Sequence, residues 1–524
     1  MIVKIIILFL VYFIETQAIQ ILIYNNAVFY PNYNRSDINS NYTTSSQDEC
    51  ICQCYSISSC LTAMFIGNSQ TYTLYSVHIS EGTIRISLNM NASVISFTDV
   101  KNPPDTIKWL FDGNFNDVYG RYSGYLEGNN SALWISPDYN GIGQAVYLPS
   151  RNYSSIHQYL DLTNSSFTFS AWIWIPSNGA TSHNGYFILI CQCESGNAYK
   201  CLQIGIVDGK LFLGFYNDDL RGNSQLELDR WHHVAYVYKR DSSNRSVYLN
   251  GYVDKTDRPS NMYKGNTSFI TLGAVPLFTS PTFRSGYVDK LIFVSRVKNE
   301  SEILDEATLV AYYSFDNTYL DSGPNQINNS TGINTSFNST GRVNQALIIA
   351  GSTGSSAYFQ ANGFYFLGQS NKAFSFSLWI YPYTNYGTIV QVLVSNNQYV
   401  PIIGFSTIGS LTIQIINGNI ACSISFISGT ILLHTWTHIG MVYSSTNGIR
   451  LFVNGSLVSQ ASSCTNYQGY GNYTTITVGY YQQSLQSILT TGAIVAAEYR
   501  GEVDELKIFS RALTTTEIYR LSLL

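Results

Sequence analysis

Carboxylates recur at matched places in this chain. Phe315-Asp316-Asn317-Thr318-Tyr319-Leu320-Asp321-Ser322-Gly323 lies well upstream of a last acidic residue group that begins at Asp504. An earlier stretch repeats the arrangement with Phe111-Asp112-Gly113, Asp117 and, further on, Asp289. Several carboxylate and carbonyl oxygens brought together are the ligands a hard cation such as calcium takes. The competing reading is structural: Asp316 and Asp321 make turns, and Asp504 makes a strand-end hydrogen bond. Trp172, Trp174, Trp231, Trp379 and Trp436 offer rings for stacking on sugars, but their place in regular apolar strands reads mostly as core. His233 and His438 each follow a tryptophan and read as strand histidines rather than catalytic ones. No Gly-x-Ser-x-Gly elbow and no His-Glu-x-x-His pair occurs.

The elements that must position these residues follow from composition and repetition. The chain has 524 residues, 45% hydrophobic and only 12% charged, with 41 Tyr and 27 Phe. That is too long for one core and favours strands over helices. A net charge of −5 without a Lys/Arg cluster argues against nucleic acid or an anionic membrane surface as partner. Phe167-Thr168-Phe169-Ser170-Ala171-Trp172-Ile173-Trp174 returns as Phe374-Ser375-Phe376-Ser377-Leu378-Trp379-Ile380-Tyr381. Trp231-His232-His233 returns as Trp436-Thr437-His438, Asn250-Gly251 as Asn454-Gly455, and the strand opening at Asp289 as the one opening at Asp504. The copies lie 204 to 215 positions apart in the same order, which means duplicated domains. In the second copy Phe374, Phe376, Leu378 and Ile380 face one way and Ser375, Ser377, Trp379 and Tyr381 the other, the period-two signature of a strand. Asn-Gly pairs supply the positive φ of tight hairpins. Short helical turns are expected around Ile303 and Ile518.

The first residues read as an address. Lys4 precedes an apolar run from Ile5 to Ile14, with small residues at −3 and −1 of a cut after Ala18. The run is too short to span about 30 Å of hydrocarbon as a helix, and no later segment is long and apolar enough to do so. Sequons at Asn34, Asn41, Asn91, Asn129, Asn152, Asn164, Asn244, Asn266, Asn299, Asn328, Asn329, Asn334, Asn338, Asn454 and Asn472 agree with export, and the group from Asn328 to Asn338 reads as an exposed loop. Nine cysteines fit an oxidising compartment. Cys422 and Cys464, alone in the last copy, are expected to pair. Connectivity within Cys50, Cys52, Cys54 and Cys60, and within Cys191, Cys193 and Cys201, stays open, and the odd thiol is expected in the second of these groups.

The duplicated landmarks, with the closing Val503-Asp504-Glu505-Leu506-Lys507-Ile508-Phe509-Ser510-Arg511, resemble the laminin-G-like, concanavalin A-like jelly-roll module over residues 106–308 and 309–524. The resemblance implies an all-β fold: two tandem antiparallel jelly-roll sandwiches preceded by a small disulfide-containing α+β module. It implies terminal strands that meet, and hence a calcium site from Asp316, Asp321 and Asp504, with a weaker counterpart from Asp112 and Asp289. Residues 19–105, with Glu49-Cys50-Ile51-Cys52-Gln53-Cys54 and Cys60, are similar to the apple/PAN family, in which a helix is stapled to a small sheet; Tyr72 departs from that pattern by standing where a cysteine is expected. Residues 1–18 are the signal, and Pro103-Pro104 marks the next boundary.

A secreted, extracellular recognition or adhesion protein is the reading these features favour, with glycans or extracellular proteins as partners. The alternative is a glycan-active hydrolase. Some hydrolases of this fold carry Glu-x-Asp-x-x-Glu on one strand. Here Glu502-Val503-Asp504 matches its beginning, and Lys507 stands where the second glutamate belongs.

Overall fold

A computed structural model of the chain describes residues 3–8, 19–25, 27–31, 37–43, 46–56, 62–75, 82–86, 91–98, 106–118, 122–127, 133–136, 138–139, 143–148, 153–156, 159–163, 165–177, 185–273, 275, 285–325, 329–350, 356–395, 398–417, 420–427, 429–469, 471, 474–479 and 492–523. The signal cut at Ala18, Pro103-Pro104, Cys60, and the sequons at Asn34, Asn129, Asn152, Asn164, Asn328 and Asn472 lie outside the described residues. No helix is long and apolar enough to cross a membrane.

The N-terminal module is a helix on a sheet. Val3–Leu8, Ile19–Asn25, Ala92–Thr98, Thr62–Ile66, Thr71–Tyr75 and Asp37–Thr43 form six antiparallel strands in that order, with Val3–Leu8 at one edge. The helix Gln47–Ser56 begins where the Ser46 hydroxyl accepts the Glu49 amide at 3.2 Å, with Asp48 and Glu49 in its first turn. Cys50 and Cys54, one helical turn apart, share a face and pack with Ala63, Tyr72, Leu74 and Ile95. Tyr72 thus fills its position as a buried aromatic beside the helix cysteines. Cys54 is disulfide-bonded, whereas Cys50 is a buried thiol.

Two sandwiches follow, and their topologies agree strand for strand. In the first, one sheet runs Leu133–Ile135, Ala145–Leu148, Gly286–Val294, Phe167–Trp174, Trp231–Lys239, Asn244–Leu249 and Tyr252–Asp257, with Thr106–Trp109 also on Gly286–Val294. The facing sheet runs Tyr125–Glu127, Tyr153–Ile156, Ile270–Gly273, Tyr186–Cys193, Cys201–Val207, Lys210–Gly214 and Asp219–Arg221. In the second, the same orders are Ser336–Asn338, Ala346–Ile349, Gly501–Phe509, Phe374–Pro382, Thr437–Ser444, Gly448–Val453 and Ser456–Ala461, with Leu309–Tyr313 on Gly501–Phe509, and Ser330–Ile333, Tyr358–Asn362, Thr475–Val478, Thr388–Ser395, Gln398–Phe405, Leu411–Asn417 and Ile420–Ser425. The stretch from Asn329 to Asn338, expected as loop, therefore supplies an outer strand to each sheet; polar residues suit a sheet edge, where half the groups face water.

Each roll buries the apolar set that period two selects. Phe167, Phe169, Ala171 and Ile173 enter the first core, and Phe374, Phe376, Leu378 and Ile380 the second. The Asn-Gly turns have φ of 51° and 88° at Asn250 and Gly251, and 47° and 77° at Asn454 and Gly455, as a tight hairpin requires. The expected helical turns are Glu300–Thr308 and Thr515–Leu521, the latter with a capping box between Thr514 and Glu517. Cys422 and Cys464 are bonded, with Cα atoms 5.7 Å apart. Cys193 and Cys201 are bonded across adjacent strands, leaving Cys191 as a buried thiol.

The chain divides into two compact units. One comprises residues 1–134 and 146–300; the other comprises 135–145 and 301–524. In the second unit the Thr308 carbonyl accepts the Ser510 amide at 2.8 Å, Arg511 Nε donates to the Thr308 hydroxyl at 3.0 Å, and Tyr139 donates to the Asn325 side chain. Its boundary thus falls at residue 301, ahead of the 309 expected from the repeat.

Candidate functional site

The carboxylates of the second roll are positioned by two irregularities in its terminal strands. Phe315 adopts φ 53° just after Leu309–Tyr313, which turns Asp316 back along the sheet. Glu505 adopts φ 53° at a register shift opposite Ser377 and Trp379, a bulge that re-aims the residues on either side of it. A short loop then clasps both aspartates. The Val343 amide donates to Asp504 Oδ2 and the Gln345 amide to Asp316 Oδ1, each at 2.9 Å. Asp504 also accepts from the Glu505 amide at 2.8 Å. Arg342, which precedes Val343 in the same loop, lies 4.3 Å over the Trp379 ring.

Asp504 is fully buried. Burial, with Glu505 and Asp316 adding repulsion, pushes its carboxyl up to about 8 against the pull of the Val343 and Glu505 amides. Asp321 takes another role. Its Oδ1 accepts the Tyr312 and Gly323 amides, both at 2.7 Å, which is the turn reading. Among the described residues no three carboxylates converge; the one group of three such ligand atoms within 4.8 Å is Cys191, Cys193 and Cys201, two of which are a disulfide. In charge, Asp316 and Asp504 fit a hard cation, because a buried acidic pair gains from one. In ligand count they supply two carboxylates, and other oxygens would have to complete the shell.

The first roll repeats the scaffold with different chemistry. Phe111 has φ 59° and Lys290 φ 45°, matching Phe315 and Glu505. Asp117 is the counterpart of Asp321: its Oδ1 accepts the Lys108 amide at 3.0 Å. That role was legible, since Asp117 follows Phe111 by the same six positions that separate Asp321 from Phe315. Asp289 is fully buried like Asp504, but Asp112 is exposed where Asp316 is buried.

Trp172, Trp174, Trp231 and Trp436 are half-buried and lie outside the core expected for them, whereas Trp379 is buried as expected. Period two that sends Phe169, Ala171 and Ile173 inward sends Trp172 and Trp174 to the outer face of the sheet. There Tyr147 stands opposite Tyr287, Tyr287 opposite Trp174, and Trp174 opposite Trp231. Ring centroids are 4.8 Å apart for Tyr147 and Tyr287 and 5.9 Å for Trp174 and Trp231. All four are half-buried. The same row of the second roll reads Ile348, Glu502, Tyr381 and Trp436. Glu502 accepts from Asn338 at 2.9 and 3.1 Å and from the Tyr383 hydroxyl at 2.9 Å. The Asn338 amide is therefore engaged, as is that of exposed Asn334, which donates to the Ser356 carbonyl at 2.9 Å; Asn91, Asn266, Asn299, Asn329 and Asn454 are exposed and Asn244 is half-buried. Asn41 lies in the strand Asp37–Thr43, with its side chain outside the description.

Two arrangements bear on catalysis. His438 Nε2 meets Ser377 Oγ at 2.9 Å, but burial holds the imidazole down to about 3 and Nδ1 has no hydrogen-bond partner, so nothing orients the ring as a base. Lys507, in the place of a second glutamate, pairs with Glu505 at 3.2 Å and lies 4.4 Å over Tyr312, whose hydroxyl donates to Glu505 at 2.7 Å.

Paired seven- and eight-stranded sheets, met by terminal strands, with aromatic rings on an outer face, define a tandem concanavalin A-like jelly-roll protein. The model of the Concanavalin A-like lectin/glucanases superfamily matches residues 141–304 and 353–519, more than half of the chain, and the chain belongs to that superfamily. No curated protein matches it in sequence. Among solved structures it is similar to domain 4 of AbnA, an extracellular arabinanase from Geobacillus stearothermophilus, solved with arabinotriose (18% identity, 41% of this chain and 98% of that one, TM-score 0.31). It is also similar to a SAP-like pentraxin from Limulus polyphemus (19%, 33% and 79%, TM-score 0.24) and to domains LG4-5 of mouse laminin alpha1 (11%, 74% and 96%, TM-score 0.22).

Proposed function

We propose that the chain is a secreted recognition or adhesion protein that binds extracellular glycans or proteins through its jelly rolls. The observation that carries this is the outward row Tyr147, Tyr287, Trp174 and Trp231. Rings on four neighbouring strands make a strip about 14 Å long, given a strand spacing of about 4.8 Å. A strip suits an extended oligosaccharide better than one sugar. Tyrosine and tryptophan supply apolar faces for the ring carbons together with a hydroxyl or indole N–H for the sugar hydroxyls. The apolar run after Lys4, the sequons and the disulfides support export. The N-terminal module is proposed as a divergent apple/PAN-like unit on its helix-on-sheet arrangement.

Calcium belongs to the same proposal: Asp316 and Asp504 of the second roll would hold it, and it would neutralise a buried acidic pair. A glycan array probed with the full-length secreted protein, with and without calcium, is the test. Trp174→Ala and Trp231→Ala should each weaken a glycan hit by about tenfold or more. Unchanged affinity in both variants would remove the aromatic row from the reading. Turnover of any arrayed glycan would establish the hydrolase alternative, for which Lys507 in place of a second glutamate offers no support.

A further inference from the structure

One end of the second roll is greasy in a way its fold does not require. Strand register brings three connections together there. Pro382 lies opposite Gly501, Ile380 opposite Thr437, Thr388 and Thr412 both opposite Gly404, and Thr412 opposite Ser425. The segments 383–387 and 406–410 and the described residues of 426–436 therefore leave the sandwich at the same end. They are tied to one another and to the strands: Asn385 Nδ2 donates to the Ile431 carbonyl at 2.8 Å, the His434 amide to the Pro382 carbonyl at 2.9 Å, and the Tyr383 ring stacks on His434 at 5.5 Å.

The tips of these segments are apolar. Ile408 is 84% exposed, Ile427 86%, Leu432 66%, Leu433 45% and Tyr386 49%. Their polar neighbours are Ser, Thr, Gly, Asn and His434, and no Asp, Glu, Lys or Arg occurs anywhere from Ala373 to Ile449; Glu498, bridged to Thr388, and Arg500, whose carbonyl accepts the Tyr383 amide at 2.9 Å, come to this end from the last connection. The first roll is an internal control. Its corresponding turn holds Asp208, and its corresponding segment holds Glu227, Asp229 and Arg230. Arg221 pairs with Asp208 at 3.3 Å and Arg230 pairs with Glu227. The same topology thus tolerates charged, solvated tips, and the second roll has uncharged aliphatic ones.

We infer that this rim inserts into the interface of an electrically neutral, zwitterionic lipid bilayer. Exposed aliphatic side chains spread over several loop tips suit lipid, which flows around any projection. Charge is what a hydrocarbon boundary rejects most strongly, and the tips carry none; Arg500, whose carbonyl accepts the Tyr383 amide, stands beside them with a side chain long enough to reach the headgroups. Tyr383, Tyr386 and Trp436 stand at or behind the tips, at the level where aromatic side chains favour the headgroup region. Loop backbone keeps its unpaired polar groups out of the hydrocarbon core, so the rim enters only to interfacial depth. The proposal is independent of the glycan reading, which concerns the other roll.

The test is co-sedimentation of the full-length secreted protein with phosphatidylcholine vesicles. Binding should be equal at low and high salt and unchanged by chelator, because the tips carry no charge and the lipid no net charge. Ile408→Ser and Ile427→Ser should each reduce partitioning by about tenfold, and together by about a hundredfold, since each removes an aliphatic side chain from the interface. Their melting temperatures should match wild type, because both positions are exposed. Arg221→Ala at the first roll's rim should have no effect on partitioning. Failure of wild type to sediment, variants that sediment like wild type, or binding that needs anionic lipid or an added protein would each overturn the proposal.

Discussion

Asp504 holds its carboxyl where water does not reach, and that has a measurable consequence. Its proton affinity in the folded protein, near pH 8, exceeds the unfolded value of 3.8, so the folded state binds more protons between those limits. Its contribution to stability is therefore greatest below about pH 4 and is lost as pH rises through about 8, at up to about 1.4 kcal/mol per pH unit. Asp504→Asn should flatten this slope in thermal melts of the full-length chain without calcium. If calcium binds, it should flatten the slope in wild type and leave the variant unchanged. Parallel wild-type and variant curves would show that the buried carboxyl does not titrate in this window. At this scale the sequence disclosed the residue types and their spacing, including Asp117. It did not disclose that backbone amides of residues 343 and 345 occupy the aspartate oxygens, because a loop's amide directions depend on where the chain closes.

Hairpins and strands were the most legible elements, because a period of two and an Asn-Gly turn are written in consecutive residues. The Asn454-Gly455 turn does more than reverse the chain, since Asn454 Oδ1 accepts the His438 amide at 2.9 Å. Asn454→Ala should cost about 1–2 kcal/mol through left-handed backbone strain and a lost acceptor. Ser456→Ala removes the sequon while keeping the turn, and should leave stability near wild type if the turn rather than a sugar is responsible. Chemical denaturation of the two variants separates the causes. The facing of the tryptophans was harder to read. Alternation placed Trp172 and Trp174 on the face opposite Phe169 and Ile173, but large apolar residues on both faces look like core until the sheets are assembled. The apolar rim was hidden for a similar reason: Ile403 and Ile408 are the same residue type, and only the turn between strands makes one buried and the other exposed.

Duplication made the molecule's architecture legible, since landmarks in the same order at a long period leave few alternatives to two rolls. The boundary was less so, because helix Glu300–Thr308 follows the first roll in sequence yet places Thr308 against Ser510 and Arg511. The second roll carries its main core between Ala311 and Ile508 and a smaller cluster of Val442, Phe452, Phe509, Leu513 and Ile518, so it should fold alone. A fragment of residues 301–524 should melt higher than one of 309–524, which lacks those Thr308 contacts, and calorimetry of the two would show equal melting if the contacts are idle. The buried thiols of Cys50 and Cys191, each pushed up to about 12 by burial, have a further meaning for the folded chain. Neither can reach a reagent, an oxidant or a second chain until its own fold opens. Among the described residues the protein therefore carries two silent internal alarms, one in the N-terminal module and one in the first roll, and their alkylation would time the opening of each.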